Sequence, residues 1–369
     1  MVKKFISFLL MVVMTIGMLT MLAGCGKSEP STGDKSNSYE LALITDMGSI
    51  DDKSFNQGAW EGLEKYAKEN NKTYKYYKPS EKSHTAYLTS IDQAVKAGAK
   101  VIVCPGFLFE VPVFKAQTKY PNVKFVILDG VPNDGAEKPV FKSEKNTQAI
   151  LYAEEEAGFL AGYAAIKDGY KNIGFMGGIA VPPVAKFGYG FVQGADYAAK
   201  EMKVKKGDIK IKYTYVGNFD ASPENMAKAS SWFNDGTELI FACGGGVGNS
   251  VMKAAQTAKK IVIGVDVDQS AESDTIITSA MKNLGKSVYD AVDGYYKDKF
   301  EGGKTSIFNA KVQGIGLPME NSKFKTFDKA SYDLMYDKLV KGEVVIKKDT
   351  DAKEITGIPV ELVKVNLIK

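Results

Sequence analysis

The chain has no arginine, so all 48 of its basic side chains are lysines. That excludes the bidentate guanidinium clamp by which phosphates and carboxylates are commonly held. Histidine is nearly absent too: His84 stands alone, beside three cysteines, Cys25, Cys104 and Cys243. A histidine metal site, a Ser-His-Asp triad and a zinc cluster are all hard to assemble from that inventory. An excess of one charge is also missing. The lysines face 44 acidic residues, and a formal charge of +4 over 369 residues leaves no electrostatic footprint for nucleic acid. What is present is ordinary for a globular chain, 44% hydrophobic and 25% charged. Wholesale disorder, collagen and a multi-span membrane protein are excluded, and the length has room for two domains at roughly 150 residues each.

One uncharged apolar run opens the chain. Lys3 and Lys4 precede it, it extends over residues 5–22, and it ends in Leu22-Ala23-Gly24-Cys25. Lysines, an apolar run and small residues at a cleavage point form the secretory pattern. The Leu-Ala-Gly-Cys ending resembles a bacterial lipobox, whose cysteine is diacylated and becomes the new N-terminus. A transmembrane anchor is the alternative, because about 20 apolar residues span a bilayer. The polar stretch 26–38, rich in Gly, Ser, Lys and Asn, favours a flexible tether. The expectation is a signal peptide over 1–24, lipid attachment at Cys25, a tether over 25–38, and a soluble part held outside the cytoplasm at the cell membrane. Cys104 and Cys243 follow strand-like runs. Two buried thiols are expected there rather than a disulfide, which an exported chain could also form.

From residue 39 onward, apolar runs alternate with amphipathic segments. In the first half, strands are expected over 41–45, 73–77, 101–104 and 125–128, with helices over 55–69, 85–97 and 110–120. A long helix over 151–167 opens a second series, with strands over 173–176, 210–216, 239–242, 261–265 and 276–281. Its helices fall near 184–201, 223–234, 248–257 and 284–299; another strand run and a helix near 329–341 follow. Continuous apolar strands separated by helices indicate parallel sheets covered on both faces. Two series give an α/β protein of two doubly wound lobes. The boundaries are placed at 39–148 plus about 282–308 for the N-terminal lobe and 149–281 plus about 309–369 for the other.

Polar residues and glycines collect just after the strands. Asp46, Gly106 and Asp129 do so in the first half; Gly177-Gly178, Asn218-Phe219-Asp220, Gly244-Gly245-Gly246 and Asp266 do so in the second. In open parallel sheets, ligands bind beyond the carboxyl ends of the strands. Two such lobes facing each other across a hinged cleft form a capture device for a solute. The triple glycine lacks the spacing of a phosphate loop. The stretch Asp51-Asp52-Lys53-Ser54-Phe55-Asn56-Gln57 runs from strand to helix. Asp52 or Ser54 can cap that helix. Phe55 and Asn56 have two readings: a stacking platform with a two-sided hydrogen-bond reader, or plain capping and packing. Glu154-Glu155-Glu156 reads as a solvated face without a ligand. The glycines of residues 158–162 suggest a helix packed closely on a sheet, and His84 an exposed helix start.

The run from Asp51 to Gln57 resembles the basic membrane protein family of substrate-binding lipoproteins, which includes purine nucleoside receptors of ABC transporters. Similar matches are Phe125-Val126-Ile127-Leu128-Asp129, the stretch 156–163, the stretch 173–178 and Ile263-Gly264-Val265-Asp266-Val267-Asp268-Gln269, together covering most of residues 40–300. The resemblance implies a type I periplasmic-binding-protein fold, a purine nucleoside as ligand, an ABC permease as partner, no cofactor and no metal. It implies a base held between two aromatics, one from each lobe. Phe55 matches the first by motif, and Phe219 stands where the second is expected. Asn56 and Asp129 would read the base edge. Asp46, Asp266 and Lys282 would hold ribose hydroxyls or the base, and Gly178 and Gly245 would let the backbone approach. The bland alternatives are capping or turn formation for Asp46 and Asp129, turn packing for Phe219, and a surface lysine for Lys282.

The leading expectation is thus a monomeric, lipid-anchored receptor that hands a nucleoside to an ABC importer. Carboxylates pair with vicinal hydroxyls and repel phosphate, so nucleosides are preferred to nucleotides. A sugar receptor of the same fold is the runner-up, with Phe55 and Phe219 stacked on a pyranose. An enzyme, such as a nucleoside hydrolase, lacks a placed histidine, an aspartate metal cluster or a nucleophile elbow. A surface antigen without a ligand would leave the strand-end aromatics and aspartates unexplained.

Overall fold

A computed structural model describes residues 38–368. The expected signal peptide, Cys25 and all but the last residue of the expected tether lie outside that range. The first sheet has the order β11-β5-β4-β3-β1-β2, built from β1 (Leu41–Ile44), β2 (Tyr74–Tyr77), β3 (Val101–Pro105), β4 (Lys124–Leu128), β5 (Thr147–Tyr152) and β11 (Thr305–Phe308). The second has the order β12-β10-β9-β8-β6-β7-β13. It contains β6 (Asn172–Gly177), β7 (Lys210–Tyr215), β8 (Leu239–Cys243), β9 (Ile261–Asp266), β10 (Ile276–Lys282), β12 (Ile315–Gly316) and β13 (Lys364–Leu367). All pairings are parallel except β10 with β12.

Each sheet is covered on both faces. Alternate residues of β1, β3 and β4 point to opposite sides. Ala42, Ile102 and Ile127 pack with α2 (His84–Lys96) and α3 (Glu110–Lys119). Leu43, Val103 and Val126 pack with α1 (Phe55–Glu69) and α8 (Leu284–Tyr296). In the second sheet, Met176 and Ile240 pack with α6 (Pro223–Asn234) and α7 (Gly246–Ala258). Phe175 and Phe241 pack with α4 (Glu154–Lys167) and α5 (Pro182–Glu201). The near-continuous apolar strands follow from this two-sided burial. No helix of the described residues is long and apolar enough to cross a membrane.

The chain passes between the sheets three times: after Tyr152, after Lys282 and after Phe308. Residues 149–152, expected in the second lobe, pair with β4 and β11 in the first sheet. The helix expected over 151–167 accordingly begins at Glu154. Its glycines do not face a sheet. A Cβ at Gly158 or Gly162 would strike the Phe187 or Phe191 carbonyl of α5, and one at Gly190 or Gly194 the Glu155 or Phe159 carbonyl of α4. The two helices therefore cross in backbone contact. Beyond β12, the chain runs through α9 (Lys329–Lys341) and is pinned to the second lobe by two buried aspartates. Asp168 accepts the amides of Lys325, Thr326 and Phe327; Asp196 accepts those of Glu361, Leu362 and Val363.

Candidate functional site

Both sheets repeat the strand order 2-1-3-4-5 of a doubly wound fold, so each has a switch point beside its first strand. The two switch points face one cavity of about 290 Å³. This is near the lower end of the range for small-molecule sites. The first lobe contributes segments following β1, β3 and β4. The second contributes the start of α5, the loop after β7, the turn after β8 and the end of β9.

The segment after β1 is organised by carboxylates. Asp52 accepts the amides of Ser54, Asn56 and Gln57, and so caps α1. Ser54, the other expected cap, makes no side-chain cap bond. Asn56 is buried, and its Nδ2 donates to Asp46 Oδ1 at 2.9 Å and to Asp52 Oδ2 at 2.8 Å. Its Oδ1 accepts the Asp46 amide at 3.2 Å, which fixes the carboxamide orientation. Both donors are thus spent within the protein, and a single lone pair of Oδ1 remains for any ligand. Asn56 and Asp46 both line the cavity, and Asn56 holds Asp46 in place. Burial raises the pKa of Asp46 against the hydrogen bonds from Gly48 and Asn56.

Phe55 and Phe219 both line the cavity, one from each lobe. Gly178 does not line it. It lies buried under the Phe219 ring, where a Cβ would overlap the ring carbons. Its role is to seat the aromatic, and Gly244 and Gly245 continue the wall beside it.

Lys282 is not a surface lysine. It ends β10 in the floor of the cleft with its side chain 2% exposed. Its Nζ lies 2.6 Å from Asp129, 3.3 Å from Asp266 and 3.8 Å from Glu154. It also sits 4.4 Å from the Phe55 ring centroid, at cation–π distance. Asp129 and Asp266 hold left-handed backbone, φ 58° and 68°, which aspartate tolerates better than most residues. Burial pushes Asp129 up to about 7 although Lys282 pulls it down. Burial would lower the Lys282 pKa, but Asp129, Asp266 and Glu154 outweigh it and raise it. The ammonium thus stays charged, and the three carboxylates compete for it. The Oδ1 of Asp129 is buried with no partner in the protein, although the residue lines the cavity. It is an acceptor suited to a ligand N–H or O–H donor.

Some buried charged pairs beside the cleft, and one wall residue, carry no sign in the sequence. Glu154 and Glu155, read as a solvated face, are buried. Glu154 pairs with Lys186 at 2.9 Å, and Lys348 reaches Glu155 at 3.1 Å. Phe187 joins the cavity wall from α5. The sequence carries no local sign of these pairs, because each partner is more than 30 residues away. His84 is the exposed first residue of α2, and Cys104 and Cys243 are free buried thiols.

Two lobes that face one small cavity, walled by aromatics and floored by carboxylates around a lysine, are the layout of a substrate-binding protein. The solved solute-binding protein of an ABC transporter system from Aeropyrum pernix superposes with a TM-score of 0.73, at 21% identity over 86% of this chain and 95% of that one. The fold is the type I periplasmic-binding-protein fold. The family model Bmp, described as ABC transporter substrate-binding protein PnrA-like, matches residues 39–350, and the chain belongs to that family. Its relatives include an ABC transporter nucleoside-binding protein of Lactococcus lactis, 31% identical over 87% of this chain and 94% of that protein. Basic membrane protein A1 of Borrelia garinii is 32% identical, over 85% and 90% respectively. The chain is therefore an extracytoplasmic binding component of an ABC transporter, with a small-molecule ligand and a permease partner, and not an enzyme.

Proposed function

We propose that the cleft captures nucleosides, purines foremost, for import, and that the protein is held to the membrane by lipid on Cys25. The observation that carries this is the unpartnered Oδ1 of Asp129 on a cavity flanked by Phe55 and Phe219. Aromatic walls suit a base of any kind, since stacking contributes about 1–3 kcal/mol per base. A carboxylate acceptor suits a purine ring N–H or amino group, and the other carboxylates suit ribose hydroxyls. The same carboxylates repel a phosphate, and the Lys282 ammonium beside them is already shared between Asp129 and Asp266. The Lactococcus relative, named for nucleoside binding, supports the ligand class.

The test is a thermal-shift panel on the full chain, unfolded and refolded to strip carried ligand, with adenosine, guanosine, inosine, cytidine, uridine, ribose, glucose and AMP. A tight ligand at about 100-fold excess over its Kd adds about 2.7 kcal/mol. Purine nucleosides are expected to shift melting and AMP and ribose are not. A shift with glucose or ribose alone overturns the nucleoside reading. Phe55→Ala is expected to weaken nucleoside binding by about 1–3 kcal/mol by calorimetry. Labelled palmitate should enter the full chain and not the Cys25→Ala variant. Equal labelling of both refutes the anchor.

A further inference from the structure

Gln269 ends the matched stretch 263–269, yet it does not line the cavity. It is 1% exposed. Its Oε1 accepts the Val265 amide at 3.0 Å, inside the second lobe. Its Nε2 donates to the Lys53 carbonyl at 2.7 Å, which belongs to the first. Only this carboxamide orientation satisfies both bonds. The backbone amide of Gln269 donates to Ser279 Oγ on β10 at 3.0 Å, which fixes the base of the side chain. Gly264 makes the room, because a Cβ there would overlap Gln269 Oε1.

The receiving segment is built to match. Lys53 holds left-handed backbone, φ 61°, and its amide donates to Gln57 Oε1 at 3.1 Å. The next residue, Ser54, is fully buried, and its Oγ donates to Asp266 Oδ2 at 2.6 Å. Lys53 Nζ also approaches Glu272 at 3.5 Å. Three contacts therefore tie residues 53–54 of one lobe to residues 266–272 of the other. Phe55 follows directly in the chain, and Asp266 is itself held by Lys282.

We propose that Gln269 is a positioning residue for ligand capture, a clasp whose carboxamide grips the Lys53 carbonyl when the lobes close and so sets Phe55 and Asp266 against the ligand. If its task were only to shape the turn after β9, the bond to Val265 would suffice. The Nε2 bond is made across the lobes, so an open cleft returns both groups to water and forfeits it. The affinity arm of the test rests on the nucleoside reading; the clasp itself is a property of the closed lobes.

Gln269→Glu keeps an acceptor for the Val265 amide and, at about pH 9, where even a buried carboxyl is largely ionised, has no donor for Lys53. The full-length variant and parent are compared at that pH with adenosine, guanosine and inosine by calorimetry and stopped-flow, and without ligand by melting and small-angle scattering. The expected result is a ligand-free melting temperature close to the parent, a larger ligand-free radius of gyration, and a Kd raised about tenfold through faster dissociation. Ser54→Ala, which removes the adjoining bond to Asp266, should move both readouts the same way by less. Parental Kd and radius in Gln269→Glu overturn the clasp. So does a loss of melting temperature with an unchanged radius, which marks a purely structural role. If Gln269→Glu does not fold, an unchanged Kd and radius in Ser54→Ala overturn it. If the parent binds none of the three nucleosides, that reading falls, and the clasp is decided by the radius alone.

Discussion

Replacing Lys282 with methionine puts the charge arrangement of the cleft to its hardest test. Methionine keeps most of the apolar stem and removes only the ammonium. That ammonium lies 2.6 Å from Asp129, 3.3 Å from Asp266 and 3.8 Å from Glu154, carboxylates whose side chains are 7%, 10% and 1% exposed. After its removal Glu154 keeps Lys186 and Asp266 keeps the Ser54 hydroxyl, while Asp129 keeps no cation. Breaking a buried pair by deleting one partner costs about 3–5 kcal/mol, a large share of the roughly 5–15 kcal/mol that holds a protein folded. Protonation limits the loss. Burial already pushes Asp129 up to about 7 while Lys282 pulls it down, so without Lys282 it rises further. A carboxyl raised above its unfolded value near 4 binds a proton in the folded state that the unfolded chain releases. Its contribution to stability is complete at acid pH and is lost, by about 1.4 kcal/mol per pH unit, until pH passes the folded pKa. In the parent that decline ends near 7; in the variant it continues. Urea denaturation followed by tryptophan fluorescence at about pH 6, 7.5 and 9 should show a gap that widens with pH and reaches about 3 kcal/mol or more at the alkaline end. A gap that stays flat within about 0.5 kcal/mol, or narrows with pH, refutes the arrangement.

Two further outcomes follow from the packing. Gly178→Val forces both the Phe219 ring and the Asn218 carbonyl aside; it should weaken nucleoside binding about tenfold or more by calorimetry and lower the ligand-free melting temperature by overpacking, in a thermal scan. Asp196→Ala strips three amides of residues 361–363 of their acceptor and should cost about 3 kcal/mol, with hydrogen exchange accelerated in β13. Asp196→Asn keeps the acceptor and should cost less.

The strand-end clustering made the cleft legible in the sequence. Apolar runs such as residues 101–104 and 239–242 bear no charge because both faces are covered, and the polar residues that follow them fall on one rim. Phe55 stood out only through the resemblance, because an aromatic at a helix start fits packing as well as stacking; the structure puts its ring on the cavity wall. The strand β5 was not, because Thr147–Tyr152 leads into α4 with only Ala153 between, and its apolar residues blend into the helical pattern. The role of Glu154 was hidden for another reason. A run of three glutamates looks solvated until Lys186 and Lys282, distant in sequence, are placed beside the first. Asn56 shows a third limit: residue type gives the capacity for hydrogen bonds, and only geometry shows that Asp46 and Asp52 consume it.

The three crossings between the sheets set an order for making this protein. The first sheet lacks its edge strand β11 until residue 308 has been synthesised, and α8, which covers one face, comes only shortly before. The second sheet waits longer still, since β13 at its far edge is nearly the last segment of the chain. Until then β5 and β7 each present an open edge, the kind of surface on which chains aggregate. Neither half can be excised as a contiguous fragment with its sheet complete. The two lobes mature together, late, and a truncation before residue 305 leaves both sheets unfinished rather than one lobe intact.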